Sequence, residues 1–191
     1  MAQTLGRPRE FDPDAALDAA MAVFWRQGYE ATSLDDLTRA MGLSRSSFYG
    51  CFGSKRDTLV AAIRRYGDLR LADLEKLVEA EPDAGRALRT AVAALAGVGG
   101  GREGCFLINC TVELARQDPE VERLGRRHLE RLEAVLARLL ARHVGAADAA
   151  AVTAQARALL SLATGASVMR KAGAEPTTID ELLAAAEPLM R

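Results

Sequence analysis

Two short helical patterns joined by a turn of only two residues constrain the fold of this chain more than any other feature. Ser33 can cap the first pattern, and Leu37 and Met41 lie one turn apart on its apolar side. Gly42 ends that pattern, and Ser44 can cap the next one. Two short helices joined by such a tight glycine-containing turn form a helix-turn-helix motif.

A further helical pattern lies on each side of this motif. Asp12 and Pro13 suit the cap and first turn of a helix that Gly28 ends. In the third helix, Phe48 and Phe52 lie one turn apart and can face the core. A long fourth helix follows. The first quarter of the chain is therefore expected to form a compact three-helix unit with a longer helix leading out of it.

The composition fits a folded, helical protein. Hydrophobic residues make up 49% and charged residues 27% of the 191 residues, which excludes a disordered chain, and the abundance of Ala, Leu, Arg and Glu favours helix. No apolar run approaches membrane-spanning length, and residues 1–10 do not form a signal peptide, so we expect a soluble cytoplasmic protein. Because the formal net charge is −1, any DNA binding must come from a local surface.

The three cysteines form neither a disulfide framework nor a metal-binding pattern. Cys51, Cys105 and Cys110 cannot all pair, and their spacing contains no CxxC element of a zinc site. We therefore expect reduced thiols, and the sequence predicts no metal and no cofactor.

The third helix begins with the chemistry of a DNA-recognition helix. Arg45 and Tyr49 lie one turn apart, on a different face from the phenylalanines. At this end of a recognition helix an arginine can pair with guanine, and hydroxyls can bind bases or phosphates. Gly50 permits close backbone approach, and Lys55 lies where the first amides of the fourth helix can hold a phosphate. The predicted DNA contacts are Thr32, Ser33, Ser44, Arg45, Ser46, Ser47, Tyr49, Gly50 and Lys55.

Taken together, these residues resemble the DNA-binding domain of the TetR family. The resemblance rests on Gly28-Tyr29-Glu30-Ala31-Thr32-Ser33, Leu37, Met41-Gly42-Leu43-Ser44-Arg45, Phe48-Tyr49, Phe52 and Ser54-Lys55. It implies a dimer in which Thr32, Ser33, Arg45, Ser46, Tyr49 and Lys55 contact DNA, with Tyr49 and Lys55 chiefly on phosphates. Gly50-Cys51 departs from the family pattern, in which a bulkier aromatic or basic residue is often followed by His or Tyr. Ahead of the motif, Gly6-Arg7-Pro8-Arg9 resembles a flexible basic arm able to reach phosphates or a minor groove.

The remaining chain is predicted to continue as helices, about nine in all. The glycine-rich stretch 97–104 is expected to be a connector, because no GxxxxGK[ST] pattern follows it. A largely apolar helix over 104–115, together with Asp118-Pro119, resembles a segment of one subgroup of TetR-type regulators.

A capping box over 178–181 predicts the start of the last helix. The expected domains are residues 1–57, for DNA binding, and 58–191, for ligand binding and dimerisation.

Cys105 is the residue of the second domain with the clearest chemistry of its own. It lies at a helix start, after a glycine loop and near Arg102, which are conditions that make a thiol reactive. It is interpreted either as a sensor of an oxidant or electrophile or as a small buried hydrophobe. Asn109 and Glu113 follow at successive turns, as ligand-pocket groups or as satisfied core residues. The predicted ligand pocket comprises Cys105, Phe106, Asn109, Glu113 and Met169; His128 and His143 are expected to be exposed.

Small residues dominate 152–172, and the last helix is amphipathic. Small side chains permit close approach of helices, so we expect these two helices to form a four-helix contact between identical subunits. The predicted interface residues are Leu159, Leu160, Ala163, Ser167, Leu182, Leu183 and Ala186.

The sequence therefore predicts an all-α, homodimeric transcriptional regulator, with a three-helix helix-turn-helix domain followed by a helical bundle. Two recognition helices about 34–36 Å apart would match successive major grooves of a palindromic operator, and an unknown small-molecule effector would release the repressor. An enzyme is one alternative, but no catalytic triad, HExxH motif, P-loop or Rossmann pattern supports it. A helical interaction module without DNA binding is the other, and salt-sensitive duplex binding would distinguish it.

Overall fold

A computed structural model of the chain describes residues 11–145 and 148–191, and every regular element in these ranges is helical. The all-α prediction is confirmed. The Gly6-Arg7-Pro8-Arg9 arm lies outside the described residues. The helices are α1 (Pro13–Gln27), α2 (Leu34–Met41), α3 (Arg45–Phe52), α4 (Lys55–Glu79), α5 (Ala84–Leu95), α6 (Phe106–Leu114), α7 (Pro119–Val144), α8 (Ala149–Lys171), α9 (Pro176–Ala185) and a 3-10 helix, Glu187–Met190.

The chain divides into two compact units, one ending at Ala62 and one beginning at Ile63. In the N-terminal unit, α1 starts as the sequence predicts, because the Asp12 side chain accepts a hydrogen bond from the Asp14 amide and Pro13 occupies the first turn. The core of this unit contains Ala20, Phe24, Leu37, Phe48 and Leu59, all of which are buried. Trp25, the sole tryptophan of the chain, lies half-buried in α1.

The turn between α2 and α3 depends on a glycine in the left-handed region. Gly42 has φ 65° and ψ 30°, a conformation that other residues adopt only with strain, and it places the Leu43 amide 2.9 Å from the Thr38 carbonyl oxygen. Ser44 then caps α3 by accepting a hydrogen bond from the Ser47 amide at 3.1 Å. These local features determine where α3 begins.

The C-terminal unit has a core of aliphatic side chains from α4, α5, α7, α8 and α9. Leu88, Leu136, Leu139, Leu140 and Leu159 are among its fully buried members. Helix α7 is 26 residues long, and the Asp118 side chain caps it ahead of Pro119 at its first turn. Within the described residues, no helix is both long and apolar enough to cross a membrane.

Two predictions for the last helices are wrong. Leu159, Leu160, Ala163 and Ser167 were predicted to contact a second subunit, but they are buried inside one subunit, as is Ala186. Helical periodicity correctly identified an apolar face of α8, but that face packs on the subunit's own core. Leu182 and Leu183 are half-buried and pack against the same core.

The last helix also starts earlier than its capping box predicts. Glu175 is extended and Pro176 occupies the first helical position, so Thr178 lies inside the first turn of α9.

Candidate nucleic-acid interface and ligand cavity

The solvent-facing side of α3 carries most of the predicted DNA contacts. Arg45, Ser46, Ser47 and Gly50 are exposed, and Tyr49 is 57% exposed, whereas Phe48 on the opposite side is fully buried. The Tyr49 ring packs edge-on against Phe48, with centroids 5.7 Å apart. Tyr49 is therefore packed on Phe48 while more than half of its surface stays exposed to solvent.

Arg45 is already engaged with an acidic side chain of α2. Its Nη2 and Nε atoms donate to Oδ1 of Asp35 at 2.8 and 3.2 Å, and both side chains are exposed. The hydrogen bond and charge of Asp35 raise the pKa of Arg45 further above its usual value, so the guanidinium is charged. DNA binding through Arg45 therefore requires this pair to be broken or shared.

Thr32 does not present its hydroxyl to solvent. Its side chain is buried, donates to the Gly28 carbonyl oxygen at 2.6 Å and accepts from Nε2 of Gln27 at 3.2 Å. The prediction that this side chain contacts DNA is therefore wrong: the hydroxyl holds the turn before α2. The polarity of a threonine between Ala31 and Ser33 does not indicate that its side chain is packed inward.

Ser33 is exposed but serves first as the cap of α2. Its hydroxyl donates to Oδ2 of Asp36 at 2.6 Å and accepts from the Asp36 amide, while the Ser33 amide donates to the same carboxylate. These hydrogen bonds from Ser33 lower the pKa of Asp36. These contacts form a capping box, and a phosphate contact by Ser33 would have to use the hydroxyl that this box already employs.

Lys55 begins α4 but folds back over an aromatic ring. Its Nζ atom lies 4.3 Å from the centroid of the Tyr29 ring and 3.5 Å from the Glu30 carbonyl oxygen. At the same helix start, Asp57 accepts hydrogen bonds from both the amide and the hydroxyl of Ser54, which lower its pKa. The ammonium therefore lies beside the Tyr29 ring.

A cavity of about 140 Å³ lies within the C-terminal unit, between α4, α5, α6, α7 and α8. Of the predicted pocket residues, Cys105 and Asn109 line it. Phe106, Glu113 and Met169 do not line it. Phe106 is buried against Tyr66, with ring centroids 5.5 Å apart, and Glu113 and Met169 are exposed. The lining residues are Tyr66, Arg70, Asp73, Leu74, Leu77, Ala94, Leu95, Gly104, Cys105, Ile108, Asn109, His128, Leu129, Leu132, Leu160, Thr164, Ser167, Val168 and Lys171.

The polar groups in and near this cavity differ in their pKa values and in their hydrogen bonds. Burial, followed by interaction with Cys105, raises the pKa of the Tyr66 phenol, so this group is neutral at physiological pH. The Asn109 side chain donates to the Glu103 carbonyl oxygen at 2.9 Å. Cys110, in contrast, lies in the core, and burial raises the pKa of its thiol to about 12, which makes it unreactive.

His128 is not exposed, contrary to the sequence-based expectation. Only 4% of its surface is accessible, and its buried Nδ1 atom has no hydrogen-bond partner among the described residues. Burial, with smaller effects from Arg131 and Arg70, lowers the pKa of His128 to about 4. The ring is therefore neutral at physiological pH. No group of three or more His, Cys, Asp or Glu residues suited to a metal ion is present among the residues that the structure describes.

The N-terminal unit matches a known family of sequences. The sequence model described as "Bacterial regulatory proteins, tetR family" matches residues 16–63. The chain is 34% identical over 134 residues to YezE of Bacillus subtilis, an uncharacterised HTH-type transcriptional regulator, and the match covers 68% of each protein. It is 43% identical over 111 residues to the HTH-type transcriptional repressor ComR of Escherichia coli, a match covering 56% of this chain and 53% of ComR.

Solved structures extend the similarity over almost the whole chain. A cysteine mutant of the TetR family transcriptional regulator CifR, in complex with 26 bp of double-stranded operator DNA, superposes with a TM-score of 0.79. The sequence identity is 25%, and the match covers 97% of this chain and 98% of that one.

Proposed function

The chain belongs to the TetR family of bacterial transcriptional regulators, and we propose that it is a repressor that binds a palindromic operator as a homodimer. A small molecule that enters the cavity of the C-terminal unit would release it from the operator. Its relatives are regulators, and it is a regulator and not an enzyme. DNA binding implies a cytoplasmic location. The observation that carries the proposal is the exposed N-terminal face of α3, directly after the α2–α3 turn.

We assign operator contacts to that face. Arg45 and Ser46 would read bases in the major groove, since the N-terminal residues of a recognition helix reach the base edges. Tyr49 and Ser47 would bind phosphates, and Gly50 would allow the backbone to approach DNA, because a methyl group there has no neighbour within 4 Å. Ser33, Ser44 and Lys55 would supply flanking contacts. The CifR operator complex supports DNA binding by this fold.

We assign dimerisation to the outward face of α8, next to α9. With the apolar face of α8 packed on its own core, the small exposed residues available to a partner include Ala154, Ser161 and Gly165. Their small side chains suit the close approach of two symmetry-related helices. Residues 58–191 would thus dimerise and bind the effector, and residues 1–57 would bind DNA.

Helix α4 is the element through which an effector would act. It begins with Lys55, in the N-terminal unit, and contributes Tyr66, Arg70 and Leu74 to the cavity wall. A ligand that binds more tightly to one position of α4 shifts the protein toward that position, and its effect on DNA affinity is limited by that difference in binding.

Operator binding by variants tests this assignment. A palindromic duplex selected from a random pool would be titrated with the wild type, Arg45→Ala and Tyr49→Ala in a mobility-shift assay. Loss of a bidentate base contact costs about 1–3 kcal/mol, so we expect Arg45→Ala to weaken binding by about fivefold or more. Arg138→Ala, at an exposed position of α7, should leave the affinity unchanged.

The salt dependence of binding separates this function from the interaction-module alternative. Phosphate contacts release counterions, so affinity should fall steeply as salt rises, and Tyr49→Ala should weaken binding to specific and nonspecific duplexes alike. Wild-type affinity in both variants, or duplex binding that salt does not alter, would refute the assigned face.

A further inference from the structure

The cavity of the C-terminal unit is small and mainly apolar at its buried end. Leu74, Leu132 and Leu160 are all buried in its wall. Its volume of about 140 Å³ is close to that of an apolar cavity of about 150 Å³ that accommodates benzene. The buried part of a ligand is therefore limited to one ring or a short alkyl chain.

The exposed part of the same wall carries charges without ion partners. Arg70 and Asp73 come from α4 and Lys171 from α8, and none of the three makes an ion pair with another described residue. Two cations against one carboxylate leave a net charge of +1 on the lining (2 − 1), since His128 and Tyr66 are neutral. An anionic group of the ligand would be attracted here, and a cationic one repelled.

The α8 side of the cavity adds hydrogen-bond donors near one of these cations. Thr164, Ser167 and Lys171 recur at intervals of three and four residues, which places them on one side of the helix, and all three line the cavity. Neither hydroxyl has a hydrogen-bond partner among the described residues. Hydroxyls can donate to a carboxylate, and hydrogen bonds to an ionised group are stronger than those between neutral groups.

We propose that the effector is a small organic monoanion, a carboxylate attached to one ring or a short alkyl chain. Its apolar body packs between Leu74, Leu132 and Leu160, and its carboxylate lies near Arg70 and Lys171. Asp73 disfavours a second negative charge. This inference rests on the proposed function, because it specifies the ligand of the cavity to which that function assigns effector binding.

Direct binding of four probes that share one ring tests the charge preference. Benzoate, benzyl alcohol, benzylamine and phthalate carry charges of −1, 0, +1 and −2 on the same apolar body, and each would be titrated calorimetrically into the full-length protein. We expect benzoate to bind about tenfold or more tightly than benzyl alcohol, with benzylamine and phthalate weaker still. Equal or tighter binding of the alcohol, the amine or the diacid, or no binding of benzoate, would overturn the proposal.

Substitutions then locate the carboxylate. Arg70→Gln and Lys171→Gln should each weaken benzoate binding about fivefold or more while leaving benzyl alcohol affinity unchanged. Asp73→Asn should improve phthalate binding. Lys76→Gln removes an exposed cation of the same helix α4 that does not line the cavity, and it should have no effect. Equal benzoate affinities in Arg70→Gln, Lys171→Gln and Lys76→Gln would contradict the proposed carboxylate position.

Operator release, measured separately, distinguishes failure of this inference from failure of the proposed function. If benzoate binds with the expected preference but does not release the operator, the ligand class stands and the release mechanism is wrong. If benzoate does not bind while the operator is bound and is released by a compound without an anionic group, the ligand class is wrong and the repressor function stands.

Discussion

The guanidinium of Arg45, which we propose binds DNA, is paired with a carboxylate of the same chain. Asp35 holds it at 2.8 Å on the surface of α2, and the carboxylate also repels phosphates. We expect Asp35→Asn to raise operator affinity several-fold, because it frees the arginine and removes a negative charge from the interface. Competition titrations at fixed salt, with specific and nonspecific duplexes, would measure the change.

Glu130→Gln is the matched control for Asp35→Asn, since it removes one exposed carboxylate from α7. It changes the net charge equally, so an effect of overall charge alone would appear in both variants. Identical affinities for Asp35→Asn and Glu130→Gln would show that the Arg45–Asp35 pair does not restrain DNA binding.

The buried His128 makes stability depend on pH in a defined window. Its folded-state pKa of about 4 lies below the unfolded value of about 6.5, so the unfolded chain takes up the proton first as the pH falls. Stability is therefore complete above about pH 6.5 and is lost as the pH falls toward 4. Between pH 7.5 and 5, the free energy of unfolding should fall by roughly 2 kcal/mol.

Chemical denaturation of His128→Leu over this range checks the assignment. The variant should lose the roughly 2 kcal/mol pH dependence, and it removes a buried nitrogen that has no hydrogen-bond partner. His143→Gln, which replaces the only other histidine, should keep the wild-type profile. A wild-type profile in His128→Leu would mean that another group titrates.

Residue types predicted the outward face of α3 but not the contacts of individual polar side chains. Thr32 and His128 both looked exposed, because a single sequence shows a residue's polarity and not its neighbours. The hydroxyl of Thr32 is used by Gly28 and Gln27, and the ring of His128 is enclosed by residues distant in the chain. Cys105 and Asn109 were recognised because they lie near a helix start after a glycine loop, which is a local signal.

At the scale of elements, α6 and α7 approach closely at a glycine. A methyl group at Gly125 would lie 2.5 Å from Oγ1 and 2.9 Å from Cγ2 of Thr111. Although alanine favours a helix by up to about 1 kcal/mol over glycine, the overlap requires the helices to move, so Gly125→Ala should destabilise the protein by about 1–3 kcal/mol. Denaturant unfolding would measure the change.

Thr111→Ala provides the second corner of a double-mutant cycle. It removes the two atoms that the new methyl group would meet first, so Gly125→Ala in the Thr111→Ala background should be close to neutral. Additive effects of the two substitutions would show that this contact does not limit the approach of α6 and α7.

Local signals predicted where the first three helices begin, but not which helix faces meet. Asp12, Ser33 and Ser44 cap helices as expected, because a cap involves neighbours only a few residues away. The start of α9 was misplaced because two local signals, a capping box and Pro176, competed. The face of α8 was misassigned because its periodicity is the same whether the apolar side meets its own subunit or another.

At the scale of the whole molecule, the outward face of α8 is the proposed interface between two copies of the chain. Ser161 lies at the centre of the exposed small residues, and an arginine there would separate two closely packed helices and bury a charge. We expect Ser161→Arg to be folded but monomeric by size-exclusion chromatography with light scattering. Its operator affinity should fall tenfold or more, since only one recognition helix would bind.

Ala134→Arg introduces the same side chain at an exposed position of α7 and should remain dimeric. A dimeric Ser161→Arg protein with full operator affinity would exclude this face as the interface.

The position of Trp25 gives the molecule a built-in optical reporter. Every residue that lines the cavity belongs to the C-terminal unit, and the sole indole lies in α1 of the other unit. A change in tryptophan emission when a ligand binds in the cavity would report a conformational change in the DNA-binding helices, without any added label or DNA.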